Sequence, residues 1–379
     1  MLVIKKQDCF VSKINIISQQ YLLNLGIVSA NAYRMKQIYY LLAAVTCLGF
    51  SFTSHAQNTQ IRGFSAASVS HFDDKISFGF GEQDILITSE INDRLSFLGE
   101  TVFRYDDHST GTKFGVEIER VIMKYNIKGN HNLLFGKHHT PINYWNDTYH
   151  HGKIFYPTVD RPLIFIANVI PLHTTGIALQ GHDLGKLKFG YDLMVGNGLG
   201  ATEIEDNDKN KSLTIAGHIK PADNLRIGAS YYYDVVSKGA AVHYHQDDQE
   251  RHEDRVIDWR TVLNLFSGSV AYFGPKWELL AEGTLAVSRT DTTCYKKTLG
   301  YYVYMGYKAT EKITPYFRID NVHFQNGEIF YIKDNRFSFL TGINYQINYL
   351  ANIKLEYQYL HSEITGTRNK ISAQIAVGF

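Results

Sequence analysis

Long stretches of this sequence alternate apolar and polar residues, mostly for nine to fourteen positions at a time. Between residues 353 and 359, odd positions hold Ile, Leu or Tyr, and even positions hold Lys, Glu or Gln. A period of two places successive side chains on opposite faces of a β-strand. Strands of soluble sandwiches usually run about five or six residues. The longer segments seen here suit strands that cross a membrane at a tilt.

Sixteen segments of this kind are predicted along the chain. They span 60–70, 79–91, 95–106, 114–127, 131–138, 173–181, 186–196, 211–219, 225–235, 258–272, 276–289, 297–308, 313–323, 334–347, 352–362 and 369–379. Connections that follow even-numbered segments are tight turns of Gly, Pro, Asn and Asp. Those after odd-numbered segments are mostly longer and polar. Short turns on one rim and long loops on the other indicate an all-β, transmembrane, antiparallel up-and-down β-barrel of about 16 strands. A soluble all-β protein is the alternative.

The segment 114–127 changes phase near Glu119 and Arg120, where the apolar face moves by one residue. Such a slip predicts a β-bulge, which re-aims the side chains that follow it. A strand end misplaced by one or two residues would give the same pattern.

The beginning of the chain has the layout of an export signal. Met35 and Lys36 precede an apolar run from 38 to 52, and Ser54-His55-Ala56 follows. A positive residue, a short apolar run and small residues at the cut are typical of a secretory signal peptide. We therefore predict an N-terminal extension at 1–34, a signal peptide at 35–56 and a barrel at 57–379. A buried amphipathic helix of a cytosolic protein is the alternative.

The composition of residues 57–379 excludes several functions. Their 33 basic and 36 acidic side chains argue against a nucleic-acid partner, which would need a basic surface. Cys294 is their single cysteine, so no internal disulfide can form. Adjacent histidines on a strand point to opposite faces and make poor joint ligands, so no metal site is predicted. No nucleophile or cofactor motif is found, so neither an enzyme nor a cofactor is predicted; a barrel enzyme whose catalytic residues are scattered over several strands is the third alternative.

The longest connection, 139–172, contains four of the seven prolines and many aromatic residues. Proline interrupts both strands and helices, and this much aromatic surface needs a place to be buried. We predict that the connection folds into the barrel and narrows it, with an outward fold or a subunit contact as the alternative. The predicted constriction residues are Tyr144, Trp145, Asn146, His150, His151, Lys153 and Arg161.

Charged residues on the face predicted to line the lumen form a second candidate set. They are Glu100, Arg104, Glu117, Arg226, Arg318, Asp320, Lys354 and Glu356, and the same face carries Lys188, Asp192 and Asp234. Charges of both signs across a narrow pore select solutes by charge and dipole. A wet lumen also tolerates any polar residue, which is the simpler explanation for each residue taken alone.

Four stretches carry a resemblance to a known family. They are 118–125, 134–137 (Leu-Phe-Gly-Lys), 140–146 (Thr-Pro-Ile-Asn-Tyr-Trp-Asn) and 157–162 (Pro-Thr-Val-Asp-Arg-Pro). This pattern resembles Gram-negative porin-like proteins of the phosphate-selective type. The resemblance implies a barrel of 16 or 18 strands, loops folded inward and often a homotrimer. Phosphate selectivity in that family rests on an arginine and lysine ladder, which is not matched by Lys153 and Arg161 alone.

The last segment ends in Phe379 after alternating apolar residues. This ending resembles the C-terminal signal read by the barrel-assembly machinery of outer membranes. We therefore expect a bacterial outer-membrane porin, in contact with lipid and lipopolysaccharide, that lets small hydrophilic solutes diffuse passively. The alternative is a plugged or narrow barrel that acts as a surface binding or structural protein.

Overall fold

Sixteen antiparallel strands form one closed barrel in the computed structural model of the chain. The structure describes residues 58–108, 111–149, 152–199, 201–202, 205–242 and 255–379. Each barrel strand pairs with its neighbours in chain order, and the last pairs with the first. The predicted fold class and the predicted count of sixteen strands are confirmed.

The strands are numbered here in chain order around the barrel. They are β1 (Asn58–Phe72), β2 (Lys75–Glu90), β3 (Leu95–His108), β4 (Gly111–Lys128), β5 (His131–His139), β6 (His173–Leu184), β7 (Phe189–Gly196), β8 (Ser212–Ala222), β9 (Leu225–Val236), β10 (Thr261–Phe273), β11 (Trp277–Thr290), β12 (Lys296–Tyr307), β13 (Ile313–Phe324), β14 (Arg336–Asn348), β15 (Ala351–Ser362) and β16 (Gly366–Gly378). Two helices lie between β5 and β6: α1 (Tyr144–Thr148) and α2 (Leu163–Ile166). Neither is long and apolar enough to cross a membrane.

The barrel closes where β16 meets β1. Their register runs from Phe64 opposite Gly378 to Phe72 opposite Lys370. Beyond it, Gly63 and Phe379 exchange two backbone hydrogen bonds of 2.9 Å each. Closure matters because an open sheet edge would expose unpaired backbone groups, which a membrane does not tolerate.

The two faces of the wall differ in the way that the alternation predicts. On β13, Phe317 and Ile319 are exposed on the outside, whereas Arg318 and Asp320 are fully buried inside. The same pattern recurs around the barrel, and its outer surface is covered with exposed Ile, Leu, Val, Phe and Tyr. Such an apolar belt is stable against lipid tails and would be unfavourable in water.

As predicted, the long connections lie on one rim, but that rim also carries the two-residue turn 73–74 after β1. Turns after even-numbered strands are short, such as 129–130, 223–224 and 349–350, whereas the odd-numbered connections include 140–172 and 237–260. In the latter, Ala241–Val242 pairs with Arg255–Val256 in a separate two-stranded ladder. The alternation alone predicts that β10 begins at 258. The pairing of Ala241–Val242 with Arg255–Val256 explains why it begins at Thr261 instead.

Two local irregularities set strand ends and register. Arg120 lies opposite Glu100 while Ile118 lies opposite Thr101, so Glu119 is the extra residue of a bulge. The bulge predicted in this segment is confirmed. Lys188 has φ of 46°, a left-handed conformation that belongs to a turn. The strand predicted from 186 therefore starts at Phe189.

Candidate functional site

The connection 140–172, called the lumen loop from here on, lies inside the barrel. It begins after β5 and contacts the inward-facing side chains of β11, β13 and β15, which alternate with lipid-facing apolar residues. The inward fold expected from its aromatic content is therefore what the structure has.

Hydrogen bonds join the two ends of the lumen loop, where it leaves β5 and returns to β6. The Thr140 N–H donates to the Leu172 carbonyl at 2.9 Å. The Asn146 amide nitrogen donates to the same carbonyl at 3.0 Å and to the Thr140 carbonyl at 2.8 Å. Because Asn146 is fully buried, these bonds are shielded from water and fix the direction in which the loop enters the barrel.

A carboxylate on β11 holds the first turn of α1. Glu282 accepts hydrogen bonds from the backbone N–H groups of Tyr144 and, at 3.1 Å, Trp145. The Tyr302 hydroxyl donates to its other oxygen at 2.6 Å. Free N–H groups at a helix N-terminus favour a negative partner. Trp145 is thereby seated with its ring centroid 5.3 Å from that of Tyr156, and only 1% of its surface is exposed.

An arginine on β13 holds the middle of the loop. The Arg318 guanidinium donates to the Thr158 hydroxyl at 2.5 Å and to the carbonyls of Asp160 and Arg161 at 2.8 and 3.1 Å. It also donates to Asp320 at 2.8 Å. Asp320 in turn accepts the N–H of Leu163, the first residue of α2, at 3.1 Å. Four hydrogen bonds from Arg318 and the additional one to Asp320 thus offset the cost of burying this ion pair.

Two charged residues on β15 bind the same stretch of the loop and the residue Lys153 before it. The Lys354 ammonium donates to the carbonyls of Lys153 and Thr158 at 2.6 and 3.2 Å. Glu356 accepts the Val159 N–H at 3.1 Å. The inward-facing charges of β13 and β15 therefore bind loop backbone.

Asp160, at the tip of this region, is surrounded by cations. Its carboxylate lies 3.0 Å from the Lys370 ammonium and 3.7 Å from that of Lys153. Burial alone would raise the pKa of Asp160, but Lys370, Lys153 and Arg318 together hold it well below its usual value. The side chain is therefore charged over the whole physiological range, which keeps the contact to β16 intact.

Apolar side chains fill the space between these anchors. Loop residues in this buried cluster are Ile142, Trp145, Tyr156, Leu163, Ile164, Phe165, Val169, Ile170 and Leu172. They pack against inward-facing wall residues such as Leu265, Leu280 and Tyr304. Phe330 and Tyr331, from the connection 325–335, belong to the same cluster. This part of the barrel interior is a packed core and not a water channel.

A pocket remains on the other side of the lumen loop, against β7 to β10. Pro141, Asn143, Tyr144 and Asp147 form its loop side. Small residues dominate its wall side, which includes Ala216, Gly228, Ser230, Ser267 and Ser269. The pocket is narrow and half open, with a cavity volume of about 20 Å³, which is room for a water molecule or two. Small side chains leave room where the packed side of the lumen has none.

Three charged residues and a histidine line this pocket. Arg226 on β9 forms an ion pair with Asp147 of α1 at 2.7 Å, and its guanidinium lies 5.1 Å from the centre of the Tyr144 ring. The His218 Nδ1 is 3.2 Å from the same guanidinium. Asp192 on β7 accepts a hydrogen bond of 2.8 Å from the Gln180 amide.

Comparison with known proteins gives a match in structure and none in sequence. No protein-family profile matches the chain, and no curated protein matches it either. Among solved structures, OmpT of Vibrio cholerae in a trimer form aligns with a TM-score of 0.62 and 13% identity, over 85% of this chain and 99% of that one. An anion-selective porin from Comamonas acidovorans aligns with a TM-score of 0.60 and 9% identity, over 85% and 99%.

Salmonella typhi OmpF, in a complex with daunomycin, aligns with a TM-score of 0.56 and 12% identity, over 85% of this chain and 97% of that one. The chain therefore has the closed β-barrel fold of these outer-membrane proteins. At these identities the likeness concerns the fold alone.

Within this porin-like barrel, the predicted constriction residues lie in three different surroundings. Tyr144 lines the pocket. Trp145 and Asn146 are buried in the packed part of the loop, and Arg161 is buried with its Nε 3.2 Å from the Tyr156 hydroxyl. Lys153 pairs with Asp160. His150 and His151 lie outside the residues that the structure describes.

The predicted wall residues separate in the same way. Arg226 lines the pocket, while Arg318, Asp320, Lys354 and Glu356 hold the lumen loop. Glu100 is buried and paired with Arg120 at 2.5 Å, and Glu117 is half-buried on β4. The side chain of Arg104 lies outside the described part of the structure.

Sequence reasoning missed Asp147 and His218 as pocket residues. Asp147 was hidden because the conformation of a proline-rich loop has no periodic signal. His218 stands at an inward position of β8, and its alternation could have found it. The small wall residues are also a missed signal: Ala216, Gly228 and Ser230 replace the large side chains that fill the packed side.

Proposed function

We propose that this protein is a narrow passive diffusion channel for small hydrophilic solutes in a bacterial outer membrane. The observation that carries the proposal is the pocket beside the lumen loop. There, small wall residues leave space, and Asp147, Asp192 and Arg226 line it with charge. A pocket meant for apolar ligands would instead be lined mainly by hydrophobic and aromatic side chains.

The passage runs between α1 of the lumen loop and the wall from β7 to β10. The Arg226–Asp147 ion pair spans it at 2.7 Å, and the Tyr144 ring stacks with that of Phe273 at a centroid distance of 6.2 Å. Because this ion pair joins the wall to the loop, it sets the width of the passage. Selection then depends on size and on the charges around this point, and no covalent step takes place.

A second candidate function is favoured by the packed side of the lumen. The lumen loop buries nine large apolar residues inside the barrel, and Phe330 and Tyr331 add to them. A barrel filled in this way could be a surface binding or structural protein whose remaining pocket never opens through. The two functions differ in whether solutes cross the wall.

Liposome swelling separates these two functions. Folded protein in liposomes is exposed to an isotonic gradient of small sugars of increasing size. A diffusion channel gives swelling rates that fall steeply with solute size, because the passage is narrow. Rates equal to those of protein-free liposomes would instead support the plugged barrel.

The surroundings of the protein are proposed on the same basis. The apolar belt suits lipid, and the long-loop rim would meet lipopolysaccharide. Export by the signal peptide 35–56 and recognition of Phe379 by the barrel-assembly machinery remain predictions. A homotrimer is proposed because one solved neighbour is described as a trimer form. Native mass spectrometry of detergent-extracted protein tests the trimer.

A further inference from the structure

We propose that the passage favours small cations over anions and that Asp192 is the residue that determines this preference. The inference rests on the proposed channel function and adds the class of solute. The inference depends on which charges around the pocket are paired. A charge that is paired with an opposite charge has little electrostatic effect on an ion at a distance.

Arg226, the one Lys or Arg among the described residues that line the pocket, is compensated. Asp147 pairs with its guanidinium at 2.7 Å, and the Tyr144 ring covers it at 5.1 Å. An anion entering the pocket would therefore have to compete with a carboxylate that is already in place. Such competition weakens anion binding at this position.

Asp192 is different because its hydrogen-bond partner is neutral. The Gln180 amide donates to it at 2.8 Å, and this bond brings no opposite charge to the carboxylate. Asp192 is only half-buried and lines the pocket. With His218 neutral, the lining carries two negative charges and one positive charge, and is negative overall.

The rest of the pocket wall suits a small hydrated cation. Ser230 and Ser269 line the pocket with hydroxyl oxygens, which can replace water around a cation. Charge in a narrow, protein-walled cleft also acts over a longer range than it would on an open surface. The negative lining therefore enriches cations in the pocket and depletes anions there.

The nearest cation on β8 does not alter this balance. Lys220 pairs with Asp183 at 2.8 Å near the short-turn rim, and both side chains are exposed. Asp183→Asn is therefore a matched control for Asp192→Asn. The chemical change and the change in net charge are the same, but the control position is solvated and lies outside the pocket lining.

The test measures reversal potentials of the full mature chain in planar bilayers under a KCl gradient. At pH 8 an ordinary histidine is neutral, which keeps His218 out of the balance. We expect a potassium-to-chloride permeability ratio above one. Asp192→Asn should lower it by about threefold or more, whereas Asp183→Asn should leave it nearly unchanged. Arg226→Gln should raise the ratio, because it frees the charge of Asp147.

The outcomes separate this inference from the function on which it rests. Absence of any conductance in folded protein overturns the channel itself. Conductance with a ratio of one or less overturns the cation preference while the channel stands. An equal effect of Asp192→Asn and Asp183→Asn shows that net charge alone acts, and then Asp192 is not the selecting residue.

Discussion

Replacement of Arg318 by Met should release the lumen loop while leaving the barrel folded. The guanidinium makes three hydrogen bonds to the loop, to Thr158, Asp160 and Arg161. Hydrogen bonds to charged groups contribute about 1.5–3 kcal/mol each. At the lower limit the variant loses about 4.5 kcal/mol of loop docking, which is roughly a two-thousandfold increase in the open population. The apolar core of the loop remains, so opening is transient.

The assay is limited trypsin digestion of folded protein in detergent, with mass spectrometry of the Lys153–Ile154 cleavage. When opening is fast, the cleavage rate follows the open population. We expect slow cleavage in the wild type. The cleavage rate of Arg318→Met should be higher by about a hundredfold or more. Arg336→Met is the matched control, because Arg336 also pairs with an aspartate two residues away, Asp334, at 2.6 Å. Cleavage of Arg318→Met at the wild-type rate would refute the anchoring role.

Three other perturbations have defined outcomes. Glu282→Ala removes the acceptor of two backbone N–H groups and should weaken docking of α1 by about 3 kcal/mol, with a red shift of Trp145 emission. Phe379→Ala should slow barrel assembly and lower the heat-induced unfolding temperature on gels, because the Phe379 ring covers Gly63 of β1 where the barrel closes. Lys370→Met should make loop docking sensitive to mild acid, measured as trypsin cleavage at Lys153 after incubation at pH 4–7.

The direction of the pH effect follows from Asp160. A carboxylate whose pKa is lowered in the folded state stabilises that state above its ordinary pKa, and the stability is lost only as the pH falls through the lowered value. The pKa of Asp160 is lowered chiefly by Lys370 against the opposing effect of burial. The wild type should therefore stay docked at pH 4. Identical acid sensitivity of both proteins would contradict this assignment.

The predictions for Glu282→Ala and Phe379→Ala can each be contradicted by a specific result. Unchanged Trp145 emission in folded Glu282→Ala would mean that the apolar cluster alone positions α1. Phe379→Ala with wild-type assembly kinetics would remove the terminal residue from the assembly signal. Trp259 and Trp277 remain in both variants and provide an internal reference for emission.

The barrel could be predicted because its determinants are local. Alternation assigns each residue to a face, and turn residues mark each rim. The bulge at Glu119 was also visible, since a phase change needs no partner to be detected. Strand ends were less accurate at 186 and 258, where a left-handed Lys188 and the pairing of Ala241–Val242 decide the boundary.

The candidate site could be predicted only in part because its contacts join distant parts of the chain. Alternation placed Arg318 and Lys354 on the inner face, but not the partner that each would meet. Arg318 meets Thr158, which is 160 residues away in sequence. A sequence pattern does not distinguish an inner charge that faces water from one that holds a loop. The pocket could not be predicted from the sequence either, since small residues such as Gly228 and Ser230 carry no periodic apolar signal.

Single-channel recording in planar bilayers tests the central claim most directly, with the wild type compared with a variant lacking residues 143–156. The deleted segment contains α1 and Asp147, which form the loop side of the passage. We predict small stepwise conductance for the wild type and clearly larger steps for the deletion variant, because the constriction is removed while the sixteen-stranded wall remains. Steps of equal size would contradict the role of the lumen loop, and a silent wild type whose barrel is demonstrably folded would contradict the channel.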